Sequence, residues 1–152
     1  MSRFLFALLI LLFSSSVICA QHNAQYNKSL ADSLGSDERG MKMYQFVILK
    51  TGPVTIADKD SVKQFFAGHM QNISKLVKEG YLVVAGPFGK NDKQYRGLFI
   101  LKAKNKEEAE KLLMTDPAIK SGLLAYDLLD WYGSAALPMY LPYSEKISKT
   151  KF

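Results

Sequence analysis

Two helix-period segments divide four strand-period segments into the order β-α-β-β-α-β, and few single-sheet folds accept that order. The first strand is expected over Met43–Lys50, where Tyr44-Gln45-Phe46-Val47-Ile48-Leu49 is rich in aromatic and β-branched residues and Gly52-Pro53 breaks the run. Val62, Phe65, Phe66, His69, Ile73, Leu76 and Val77 then recur at three- and four-residue steps. That is the stripe of an amphipathic helix, opened by the capping pattern Ser61-Val62-Lys63-Gln64 and stopped at Gly80 after Lys78. Tyr81–Ala85 supplies a second strand, terminated by Gly86-Pro87. After the polar turn Gly89–Lys93, Tyr95–Lys102 returns as a third strand, so these two form a hairpin. Asn105-Lys106-Glu107-Glu108 opens a second capped helix with Ala109, Leu112 and Leu113 on its buried side. Asp116-Pro117 ends it, because a residue before proline is pushed away from helical angles, and Leu123–Trp131 is the fourth strand.

This order predicts an α+β, ferredoxin-like fold: one antiparallel sheet with both helices on one face. The opposite face then carries a row such as Val47, Leu49, Phe99, Leu101, Leu129 and Trp131, or its alternating neighbours, with no helix to cover it. Apolar surface of that extent normally marks an interface. Sheet-to-sheet pairing with a second copy would bury it, so a homodimer is expected.

The flanks carry different signals. Arg3, the apolar run Phe4–Phe13 and the small-residue region Ser14–Ala20 read as a secretory signal peptide over residues 1–20, since the apolar run is about half of the ~20 residues a membrane span needs. Export to the periplasm or medium follows, with no stable membrane insertion after cleavage; acylation of Cys19 as a lipoprotein is the alternative. Residues 21–41 lack apolar periodicity and read as a flexible linker, 42–132 as the folded domain, and 133–152 as a C-terminal extension. Cys19 is the single cysteine, so removal of the leader excludes disulfides and thiol catalysis. The net charge of +6 is spread among carboxylates, as in Lys104–Lys111, without a basic stripe interleaved with aromatics, which argues against a nucleic-acid partner.

His69 is the chemically informative residue. It stands on the apolar face of its helix and needs a bonding partner there, for which Asp116 is the best acidic candidate. A His–carboxylate pair suits proton transfer near neutral pH, the carboxylate fixing the tautomer and steadying the cation. No serine or cysteine stands at nucleophile spacing, so the pair would act as base and acid. Gly86 would let backbone approach a ligand, Pro87 would stiffen that turn, and Phe88 and Trp131 are candidate apolar walls of a substrate site. One domain histidine and no cysteine cannot supply the usual zinc sets, and the glycines lack phosphate-loop spacing, so neither metal nor cofactor is expected. Plain structural roles stay open beside each of these. His69 can be a core histidine bonded to a backbone carbonyl, Asp116 an N-cap with Pro117 at the first helical position, Gly86-Pro87 a strand terminator, and Arg96 and Lys120 solvated surface.

The run from Met43 to Tyr132 resembles the YCII-related domain, a member of the dimeric α+β barrel superfamily. The resemblance is carried by His69, the segment Glu79–Gly89, Arg96-Gly97-Leu98-Phe99-Ile100, Glu107-Glu108-Ala109, Asp116–Gly122 and Trp131-Tyr132. It implies a His–Asp pair near the sheet, here His69 and Asp116, in a pocket partly closed by the Ala85-Gly86-Pro87 turn. One relative is associated with dehydrochlorination of an aromatic breakdown intermediate, and muconolactone isomerases share the superfamily fold. Cytoplasmic members often carry an arginine one helical turn before the histidine, whereas this chain has Phe66. Two classes of function follow. One is a cofactor-independent enzyme acting on a small organic molecule by proton transfer, an isomerase or lyase. The other is a non-catalytic ligand-binding or structural dimer module of the bacterial envelope.

Overall fold

The computed structural model describes residues 23–149, so the expected leader over 1–20 lies outside the described residues. Four strands, β1 (Met41–Thr51), β2 (Leu82–Pro87), β3 (Tyr95–Leu101) and β4 (Leu124–Ser134), form one sheet in the order β2-β3-β1-β4. Every neighbouring pair is antiparallel. Between the strands run α2 (Lys59–Lys78), α3 (Lys106–Leu113) and the single-turn α4 (Pro117–Lys120). The chain thus has the α+β, ferredoxin-like architecture expected of its element order.

The helices share one face. Val47 and Leu49 of β1, Phe99 and Leu101 of β3 and Leu124 of β4 pack against Leu76 of α2, Leu113 of α3 and Ile119 of α4. Each fully buried leucine here contributes about 1.5–3 kcal/mol relative to exposure. The other face gathers Tyr44, Val83 and Ile100, with Phe46, Val84, Leu98 and Trp131 packed around them. The row expected on the helix-free face therefore mixes the two. Val47, Leu49, Phe99 and Leu101 lie beneath the helices, while Trp131 lies on the free face, and Leu129 does too, opposite Phe46 in the ladder. Period-two alternation separates the faces of a strand, but both faces are apolar here, so alternation alone does not tell which one the helices cover.

Local chemistry explains the other departures. The cap of α2 is Asp58, three residues before the expected Ser61, because the Asp58 carboxylate accepts the amides of Asp60 and Ser61 at 3.4 and 3.0 Å and the Ser61 hydroxyl at 2.5 Å. Gly86 and Pro87 are themselves the last two residues of β2, which ends at Pro87; β2 is an edge strand, where a missing amide donor costs little. The stretch read as a linker contains α1 (Lys28–Leu34), capped by the Asn27 side chain on the Leu30 amide and closed by Gly35 at φ 66°. No residue of α1 is buried, and its apolar residues Leu30, Ala31 and Leu34 span barely one turn, too short a stripe to stand out from the polar residues around it. The C-terminal extension is folded as well. A 3-10 turn over Leu137–Tyr140 leads into α5 (Leu141–Ile147). Leu137 packs on the free-face cluster, and the Tyr140 hydroxyl donates to the Val83 carbonyl at 2.5 Å. Part of the helix-free face is thereby covered by the chain itself.

Candidate functional site

His69 sits one helical turn after Phe66 on the inner side of α2, its side chain 12% exposed. Its ring stacks on Phe99 of β3, with centroids 5.9 Å apart and an interplanar angle of 22°, and meets the Phe66 ring edge-on at 6.2 Å. Facing it from α4 is Asp116, whose side chain is only 1% exposed. His69 Nδ1 and Asp116 Oδ2 are 2.6 Å apart. The other carboxylate oxygen, Oδ1, accepts the amides of Ala118 and Ile119 at 2.9 and 3.4 Å, so Asp116 is also the N-cap of α4. Pro117 at the first helical position needs no amide partner, and its fixed φ suits the start of a helix.

Two further contacts fix the approach of α2 to α4. A Cβ placed on Gly68 would come within 2.8 Å of Pro117 Cγ, so only glycine permits this spacing next to His69. One turn on, the Oδ1 of the buried Asn72 lies 2.9 Å from the Thr115 hydroxyl, which it shares as acceptor with the Leu112 carbonyl at 2.6 Å. The pair is therefore held from three sides: by the cap amides, by the glycine–proline contact and by the Asn72–Thr115 bond. Gly68, Asn72 and Thr115 escaped the sequence reading. The available signal was a glycine in mid-helix, which costs about 1 kcal/mol against alanine and so asks for a packing reason.

The geometry fixes what this pair can do. A carboxylate only accepts, so the proton in the His69–Asp116 bond belongs to Nδ1 and the neutral ring keeps its lone pair on Nε2. Among the described residues no protein group bonds Nε2. The imidazole can therefore take a proton at Nε2 while Asp116 steadies the resulting cation.

The expected substrate residues are not all brought to this point. In the β2–β3 ladder Ala85 lies opposite Phe99 and Pro87 opposite Gly97, which puts both on the His69 side of the sheet; Gly86 lies opposite Leu98 and faces the other way. Phe88 is 39% exposed, contacts Tyr95, and lines an open hollow of about 480 Å³ at the hairpin tip with Lys90 and Lys93. Trp131 packs at a tilt against Tyr44 and Phe46 on the helix-free face, so within the chain the sheet separates it from His69. A second, smaller cleft of about 210 Å³ shares Phe66 with the His69 environment; Thr51, Ile56, Arg96 and Leu124 also line it. Arg96, expected at the solvated surface, is exposed there and also lines this open cleft.

Displaced titrations occur elsewhere on the sheet. The Gln45 amide donates to Asp130 at 2.8 Å and holds that carboxyl below its ordinary range, while burial raises the Tyr44 phenol. Among the described residues no group of three or more His, Cys, Asp or Glu side chains is gathered to hold a metal ion, and no helix is long and apolar enough to cross a membrane.

The chain belongs to the YCII-related domain family, which it matches over residues 43–132. Among solved structures it is similar to 5-chloro-2-hydroxyhydroquinone dehydrochlorinase from Burkholderia phenoliruptrix AC1100, determined as a complex with 2,5-dihydroxybenzoquinone. Sequence identity is 23%, the match covers 57% of this chain and 92% of that one, and the TM-score is 0.41. No curated protein matches the chain.

Proposed function

We propose that this YCII-family chain is a cofactor-independent enzyme for a small organic molecule, in which His69 and Asp116 carry out proton transfer. His69 Nε2 removes a proton from a carbon next to a carbonyl or within an unsaturated ring, and the imidazolium returns it elsewhere or releases it as a group leaves. Isomerisation and elimination are the two outcomes. The carrying observation is the 2.6 Å bond from Nδ1 to a carboxylate that two backbone amides already hold in place. Such preorganisation is what lets a positioned base contribute about 10²–10⁴-fold to rate. Pro87 and Ala85, on the same side of the sheet as Phe99, are the nearest part of the glycine-proline segment to this chemistry. A second copy pairing across the exposed part of the helix-free face would complete the assembly. The half-exposed Leu129 supports that contact.

The test does not require the natural substrate. Carbonyl carbon acids, including cyclic enones and unsaturated lactones, are incubated in heavy water with the protein, and deuterium entry at carbon is followed by NMR. Catalysed exchange is expected for at least one compound, falling at least 100-fold in His69→Ala. Exchange that is equal in the two proteins would remove the proposal.

A non-catalytic module is the second reading, and one observation favours it. Asp116 is fully engaged as a cap, so the His69–Asp116 bond also serves as a clamp between α2 and α4. In that case His69→Ala lowers stability and alters no turnover.

A further inference from the structure

The β1–β3 ladder carries a fault in its register. Leu49 stands opposite Gly97 but Lys50 stands opposite Tyr95, which leaves Arg96 as the extra residue of a bulge. Two residues earlier, Gln94 has φ 58°, the one non-glycine residue at positive φ among the described residues, and its carbonyl accepts the Thr51 amide at 3.1 Å. Both features cost stability, and both are devices that re-aim a side chain. Strict alternation from Leu98, which packs on the helix-free face, would send Arg96 to that same face. With the bulge, Arg96 instead lines the 210 Å³ cleft together with Phe66 of α2.

The lining has a definite chemistry. Arg96 is its one charged residue, and no carboxylate belongs to it. Among the described residues the guanidinium has no hydrogen bond or ion pair. Thr51 and Thr55 add uncharged hydroxyls, and the remaining walls are apolar. An unpaired guanidinium is a planar fork matched to a carboxylate, and a phenyl wall suits a flat, apolar body. The open cleft of about 210 Å³ is smaller than the roughly 300–1,000 Å³ of sites for drug-sized ligands, a size that suits an occupant of about one ring. His69 is not itself in the lining; Phe66 is the link, lining the cleft and meeting the His69 ring edge-on at 6.2 Å between centroids.

We propose that this cleft binds a small planar carboxylate, an aromatic or conjugated acid, through Arg96. It thereby assigns a substrate class to the His69 chemistry, and that last step rests on the proton-transfer reading above. Benzoate is the probe and benzamide its uncharged match, each titrated against the protein by two-dimensional NMR. Benzoate is expected to shift the resonances of Phe66, Arg96 and Leu124 and to bind at least tenfold tighter than benzamide. Arg96→Gln should erase that preference, the tenfold being the size of one charge-assisted contact, and Arg96→Lys should keep part of it. Arg96 is exposed, so neither variant threatens the core. Equal binding of the two probes, no binding of benzoate, or a preference unchanged in Arg96→Gln would overturn the inference. Benzoate binding involves no proton transfer, so the two proposals fail separately. An intact benzoate preference without deuterium exchange removes only the catalytic reading; exchange of an uncharged compound without that preference removes only this one.

Discussion

The two faces of the sheet have similar apolar content and opposite treatment. Beneath the helices, Leu101 and Val47 are fully buried, and the polar side chains placed among them are cross-linked, His69 to Asp116 and Asn72 to Thr115. On the other face the Tyr44, Phe46 and Trp131 cluster is covered only in part, by Leu137 and the tethered Tyr140, and Leu129 is 49% exposed. The difference teaches where precision comes from. A buried polar pair is worth keeping only if every partner is positioned, and three packed helices position this one; a face covered by a short turn offers area for a partner instead.

Truncation on each face measures that contrast. Leu101→Ala should cost about 2–5 kcal/mol in denaturant unfolding, because it empties a site enclosed by strand and helix. Leu129→Ala, at concentrations where the protein is monomeric, should change stability by no more than about 0.5 kcal/mol, and sedimentation of the two proteins tests the proposed pairing on this face, which the substitution should weaken. Equal losses at the two positions in the monomer would break the comparison. A smaller effect sharpens the helix side alone. Gly68→Ala drives a methyl group against the Pro117 ring, a rigid neighbour, and should cost about 1–3 kcal/mol. In its spectrum the His69 and Asp116 resonances should move more than those of Tyr44 and Trp131. A neutral Gly68→Ala would mean that the two helices are free to part.

Much of this organisation was legible in the residues. The β-α-β-β-α-β order followed from two periodicities and from glycine and proline breaks, and those are local signals. The contact between His69 and Asp116 could be anticipated because an imidazole on an apolar helix face needs a partner and Asp116 opens the next helical turn. Other features depend on what only the folded chain decides. Asp58 and Ser61 are both good caps, and the backbone angle at Asp58 settled the competition. The bulge that turns Arg96 into the cleft is a property of register between β1 and β3, which no single segment encodes. Gly68 reads as a helix weakness until Pro117 is seen against it. Trp131 is expected both in the helix-free row and as a wall of the His69 site, and these two places exclude each other within one chain; the structure puts it on the free face.

Asp116 can serve the chemistry only by holding His69 with its proton on Nδ1 and its lone pair on Nε2, and long-range proton–nitrogen NMR of the imidazole reads this directly. At alkaline pH the ring is expected to carry its proton on Nδ1, with that proton far downfield and the signature lost in Asp116→Asn. A neutral ring protonated at Nε2, or a spectrum unchanged in Asp116→Asn, would contradict it.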